Sequence, residues 1–306
     1  MHELEALIPH GAAARDAVTL ASSVSSVKRW TAAGQLVLVH PGVVMLPHLA
    51  DDLLTRARAA HLWTKGPISH TSALELWGVL PPAGGPLHAT VPADRFPRRS
   101  TGVVVHRTTL PLAVSSLGGI LVTSLPRSLV DAWDWAHRNS KGRPHGGRAQ
   151  ARQAVIECLR SRRTDLAAVH RASDAAPVHA GRAGLLRLLA LIAGGCESEL
   201  EVWGVTQVLP GPPRVPQWVQ QYAVRLPNGR SARLDAAYPE ARVAVELDGA
   251  AFHGSREARE RDLRRDTALA ALGWVVLRFS YARVLADPEG GRREIEAVVL
   301  GRMTMA

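Results

Sequence analysis

Residues 233–254, RLDAAYPEARVAVELDGAAFHG, read as two apolar strands joined by a Pro-Glu-Ala-Arg turn, yet they carry Asp235, Glu246 and Asp248, with His253 just beyond. A side-chain period of two sends Val243, Val245 and Leu247 to one face of the second strand and Ala244, Glu246 and Asp248 to the other. The valine face makes a core. Glu246 and Asp248 then stand together on the opposite face, and Asp235 on the neighbouring strand can approach them. Carboxylates this close repel one another, and burying them unpaired is costly. Any fold that accepts this stretch has to neutralise the acids, either with a cation or with arginines drawn from elsewhere in the chain.

The flanking sequence defines the sheet. ESELEVWGVTQVL (197–209) has helical spacing, with Glu197 and Glu201 on one face at i, i+4. WVQQYAVRL and SARLDAAY are strands meeting at Pro227-Asn228-Gly229, a hairpin signal. SREARERDLRRDTALAALG is a helix, charged and then apolar, ended by Gly273; WVVLRFS is a fourth strand and PEGGRREIEAVVLGRM a last helix. Helix, three meandering strands, helix, strand, helix is the order of a small α/β (α+β) module with a mixed sheet covered by helices. If a cation neutralises the acids, an oxygen-only ligand set selects Mg²⁺, Mn²⁺ or Ca²⁺, and Glu197 could complete it. Such an ion polarises a phosphate and activates a water for in-line attack.

The start of the chain has a different rhythm. Residues 3–14 read as a short helix ended by Gly11 and ARDAVTLA as a second. A third helix follows, opened by Ser22 and Ser23, with Val24, Val27 and Trp30 at helical spacing and Gly34 closing it. QLVLVHPGVVMLP then gives two strands around His40-Pro41-Gly42. Three helices and a two-stranded wing suggest a winged helix-turn-helix over 1–48, whose third helix would offer Ser25, Lys28 and Arg29 to the DNA major groove. The bland alternative is a small helical cap. Residues 49–138 read as a middle α/β region containing His70, His88, His106 and Arg127. No two of these histidines share evident metal-ligand spacing, and they stay unassigned. Residues 139–194 read as a helical and linker region, with SKGRPHGGRAQ in it, and 195–306 as the module described above.

Charge and cysteine content narrow the partners. The chain of 306 residues carries a formal net charge of +10, which favours polyanions, nucleic acid first. Its basic residues are almost all arginine, which suits phosphate but also fits a GC-rich coding bias. Two cysteines are too few for a disulfide framework or a CxxC zinc site, so the expected setting is reducing and cytoplasmic. MHELEALIPH lacks the apolar run of a signal peptide, and no segment has the length of a membrane span. A glycoside hydrolase using paired carboxylates is remote, because aromatic residues make up only 5% of the chain.

The series Glu197, Asp235, Glu246-Leu247-Asp248-Gly249 and His253 resembles the PD-(D/E)XK nuclease superfamily, nearest to the branch related to very-short-patch-repair (Vsr) endonucleases. RDLRRDTALAALGWVVLRFS resembles the same branch. The resemblance covers about residues 195–302. It implies a Mg²⁺- or Mn²⁺-dependent DNA endonuclease with Asp235 and Glu246 as metal-binding acids, Glu197 as the helical acid and Asp248 assisting. His253 would be a catalytic base or phosphate contact. Where the superfamily has lysine two residues after the second acid, this sequence has Asp248, so Arg261, Arg264, Arg265 or His253 would supply the positive charge. The three arginines are also candidate DNA contacts. VKRWTAAGQLVLVHPGVVMLP, SHTSALELWGV and VTSLPRSLVDAW resemble, over 1–135, the winged-helix region of abortive-infection type IV (AbiEi) antitoxins, which implies DNA binding. A non-catalytic DNA-binding regulator is therefore the second expectation, and a homodimer is left open.

Overall fold

The computed structural model describes residues 2–98, 100–138, 147–194, 204, 207–248, 256–280, 283 and 286–304, without the side chains of 2, 3, 248 and 256–259. Two compact units divide the chain, Met1–Leu185 and Leu186–Ala306. No helix among the described residues is long and apolar enough to cross a membrane.

The first unit opens with α1 (His2–Leu7), β1 (Ala12–Ala14), α2 (Arg15–Ala21), α3 (Val24–Ala32), β2 (Val37–His40) and β3 (Val43–Met45). The strands form an antiparallel sheet of order β1-β3-β2. The expected helix over 3–14 is thus cut short. Ala12–Ala14 pair with Val43–Met45 as a strand, and the left-handed φ of Gly11 (77°) breaks the helix before them. Alanine's helix preference is overridden because Ala12 joins a buried cluster with Val43, Met45 and Ala59. Ser23 caps α3, its Oγ accepting the Ser26 N–H at 3.0 Å. Val27 and Trp30 bury one face of that helix against Leu4, Ile8, Val18, Leu36 and Val44.

Then come α4 (Leu53–Thr64), α5 (His70–Leu76), β4 (Leu87–Pro92), β5 (Val103–Thr108), β6 (Val114–Leu117), β7 (Ile120–Thr123), α6 (Leu125–His137), α7 (Gly147–Arg160) and α8 (Leu166–Asp174). β4 and β5 pair in parallel, β6 and β7 antiparallel. Ile68 bridges the two pairs, facing Ala89 on one side and Val122 on the other. It lies in a core with Ala57, Ala60, Ala73, Leu87 and Ile120.

Helix α9 (Arg182–Ala193) leads into the second unit, which contains β8 (Val219–Arg225), β9 (Ser231–Tyr238), β10 (Val243–Asp248), α10 (Arg256–Ala271), β11 (Val275–Ser280) and α11 (Pro288–Thr304). The sheet order is β11-β10-β9-β8. β10 runs parallel to β11 and antiparallel to β9, and β9 is antiparallel to β8. The β8–β9 hairpin closes at Gly229, whose φ of 79° suits glycine. Both faces of this mixed sheet are covered. Val243, Val245 and Leu247 pack with Phe279 and with Ile295 and Val299 of α11. Ala244 packs with Ala237, Leu234 and Leu269 of α10. The face opposite the valines is therefore also core, as a sheet covered by helices requires, except where Glu246 interrupts it.

Candidate active site

Asp235 sits where β9 changes face. Ala236 and Tyr238 join the α11-side core, whereas Ala232 and Leu234 join the α10-side core. Strict alternation would put all four on one side. Antiparallel pairing with β10 runs from Val243↔Tyr238 to Val245↔Ala236 and stops there. At the next step the Leu247 N–H donates to the Asp235 carboxylate, Oδ2, at 3.1 Å. A side chain takes over a ladder bond at the kink, and this holds the half-buried Asp235 against β10, next to Glu246.

Glu246 is 7% exposed and both of its oxygens are engaged. Arg265 of α10 forms an ion pair with Oε1. Arg278 of β11 donates through Nε to Oε2 at 3.2 Å. Arg278 also donates through Nη2 to Asp266 at 2.6 Å, and Arg265 donates to the Arg233 carbonyl at 2.9 Å. The result is a network of two acids and two arginines across β10, β11 and α10. Such charge-assisted bonds are the strong ones, and a buried carboxylate without them is strongly disfavoured. Glu246 is thus neutralised by arginine pairing.

Asp235 and Glu246 lie on adjacent strands, the Asp235 carboxylate bonded to the N–H of Leu247, the residue after Glu246. Asp248 ends β10, opposite Ser280 of β11, its side chain outside the described residues. Glu197 and His253 also lie outside them. On α10, Arg261 and Arg264 are exposed, Arg264 with Glu260 at 3.4 Å, while Arg265 turns to Glu246. Arg261, Arg264 and Arg265 line a cleft of about 390 Å³ together with Arg230 and Arg233 from the hairpin. On α3, Ser25, Lys28 and Arg29 are all exposed.

Sequence reasoning missed Arg278. Its signal was available only through strand pairing, because Glu246 and Arg278 are direct partners in the parallel register of β10 and β11. It also left the middle histidines unassigned, whereas the fold gathers His70, His88 and His106 into one cluster. Burial holds His70 well below the usual imidazole pKa, reinforced by its neighbours His106 and His88.

As a donor set, Asp235 and Glu246 are hard oxygens of the kind that hold Mg²⁺ or Mn²⁺. Each Glu246 oxygen has one lone pair in an arginine bond and a second left over, so a cation there would sit beside two guanidinium charges.

The family model REase_MTES_1575, restriction-endonuclease-like, matches residues 228–299. The match takes in β9, β10, α10, β11 and the first part of α11, and hence both acids and both arginines. No curated protein matches the chain. The C-terminal unit is thus similar to restriction endonucleases over three of its four strands and the helix that carries Arg265.

Proposed function

We propose that the protein is a DNA-directed, metal-dependent endonuclease with its active site at Asp235 and Glu246. The observation that carries this reading is the Asp235 carboxylate held at the β9 kink on the N–H of Leu247, next in sequence to Glu246, whose partner Arg265 lines an arginine-rich cleft, inside a stretch similar to restriction endonucleases. Arg230, Arg233, Arg261 and Arg264 would track the phosphate backbone. Arg265 and Arg278, now on Glu246, would exchange that carboxylate for a DNA phosphate. The exchange frees Glu246 and, with Asp235, gives oxygens for Mg²⁺ or Mn²⁺. When bound, the metal supplies charge stabilisation at the phosphate and an activated water. Glu197, Asp248 and His253 keep the assisting roles that the resemblance implies. The order α-β-α-α-β-β with sheet β1-β3-β2 supports a winged helix at the N-terminus, with Ser25, Lys28 and Arg29 on its recognition helix.

The test is nicking of supercoiled plasmid with Mg²⁺ or Mn²⁺. Wild type is expected to nick, and Asp235→Ala and Glu246→Ala to lose nicking. Nicking that survives in both variants would refute the assignment.

Two features favour a second reading, a non-catalytic DNA-binding regulator built on a nuclease fold. Both Glu246 oxygens are held by guanidiniums, and Asp248 stands where the superfamily has lysine. That reading predicts salt-sensitive duplex binding that needs residues 1–48, needs no metal, and gives no cleavage.

A further inference from the structure

The first unit holds a cluster that the nuclease reading does not use. His88 and His106 lie on the same face of the parallel pair β4–β5, since His106 is the partner of Thr90, two residues beyond His88. The Ser69 N–H donates to the His88 carbonyl at 2.9 Å and brings His70, the first residue of α5, alongside them. His88 Nδ1 and His106 Nε2 are 2.9 Å apart. The His70 ring stacks on His106 with centroids 3.6 Å apart, and Trp135 stands edge-on to all three rings. One ligand nitrogen from each histidine lies within 4.8 Å of the others.

Four further features mark the place as built. His70 has a φ of 56°, a left-handed conformation that a bulky residue adopts only when its surroundings impose it. His70 Nδ1 is 2.8 Å from Ser69 Oγ, which also accepts the Thr90 hydroxyl at 2.8 Å. A ring nitrogen held by an oxygen in this way is the outer support that metal-bound histidines have, and it leaves the other nitrogen to a ligand. His70 and His106 also line a polar cavity of about 410 Å³ with Arg107, Arg127, Asp131 and His179. In that cavity wall Asp131 Oδ2 is buried without a hydrogen-bond partner, its side chain only 10% accessible.

We propose that His70, His88 and His106 bind a zinc-class divalent transition ion, with an open coordination position towards this cavity. Imidazole nitrogens suit Zn²⁺, Co²⁺, Ni²⁺ or Cu²⁺, unlike the oxygen donors Asp235 and Glu246, which suit Mg²⁺ or Mn²⁺. Three protein ligands plus one open position is the pattern of a reactive rather than a purely structural zinc site. At Zn–N bonds of about 2.0–2.1 Å, tetrahedral nitrogens stand about 3.3 Å apart. His88 and His106 therefore have to part by a few tenths of an ångström and turn their nitrogens towards one point, the proton between them moving through solvent to the other nitrogen of the ring that carries it, and His70 has to tilt off its stack on His106. The Ser69 hydroxyl accepts the His70 Nδ1 proton and leaves Nε2 for the ion.

The experiment is titration of Co²⁺ into metal-free full-length protein, followed by visible absorption. Wild type is expected to bind one equivalent at this site with the intense ligand-field bands of a tetrahedral, nitrogen-rich centre. His88→Ala and His106→Gln should lose those bands while keeping the wild-type circular dichroism. Asp235→Asn and Glu246→Gln should keep them, which separates this site from the proposed nuclease site. If a histidine variant fails to fold, the cobalt-loaded wild type decides: its proton NMR spectrum should contain paramagnetically shifted signals from three imidazoles. No tetrahedral bands in wild type, bands unchanged in folded histidine variants, bands lost with Asp235→Asn or Glu246→Gln, or fewer than three shifted imidazoles would each overturn the proposal.

Discussion

Glu246 concentrates the chemistry of the second unit. Its carboxylate is buried while both arginines on it reach water, the Arg265 side chain being 26% and Arg278 35% accessible. Glu246→Ala is expected to cost about 1–2 kcal/mol, because the arginines rehydrate once released. Urea denaturation of the variant checks this. Asp131 behaves differently. Arg127 Nε donates to it at 2.8 Å, yet burial outweighs that partner and pushes its carboxyl up to about 6; Asp134 nearby adds to the rise and Arg138 opposes it. The unfolded carboxyl titrates near 3.8. Between these values the folded state binds the extra proton, so the contribution of Asp131 to stability falls as pH rises from about 4 to about 6 and is flat above. The buried His70, held low, adds the opposite slope, so the check is a difference: the denaturation midpoint of wild type minus that of Asp131→Asn should fall from about pH 4 to about pH 6.

At the scale of elements, α3 combines a cap, a buried face and an exposed basic pair. Ser23→Ala is expected to cost about 1 kcal/mol, read from the thermal unfolding of the full chain. Lys28→Ala with Arg29→Ala should weaken duplex binding and flatten its salt dependence by about 1 per residue removed, measured by fluorescence anisotropy across a salt series. A salt slope unchanged in the double variant would remove α3 from the DNA contact. Much of this helix is legible in the sequence: the serines, the apolar spacing and Gly34 bound it without any tertiary information. β1 is not legible in that way. Three alanines have no strand character of their own and become one because Val43–Met45 offer a free edge. β9 shows the same limit. Its apolar residues announce a strand, but the kink at Asp235 comes from packing on two different cores.

At the scale of the molecule, the second unit is a four-stranded mixed sheet with a core on each face. Leu269 of α10 is fully buried on one of them, and Leu269→Ala is expected to destabilise that unit by about 2–5 kcal/mol, as measured by calorimetry. Local sequence was enough to establish the strands and helices around the acids, their order, the Gly229 turn and the placing of Glu246 away from the valine face. Those properties follow from side-chain period and backbone preference, which act over a few residues. Tertiary structure alone decided what Glu246 touches, since Arg278 is 32 residues away and meets it only through the parallel register of β10 and β11. It alone gathered His70, His88 and His106, which have no common spacing until β4, β5 and the start of α5 pack together. Contacts between distant residues depend on which strands pair and in what register. That choice belongs to the burial of the whole core rather than to any local stretch of chain.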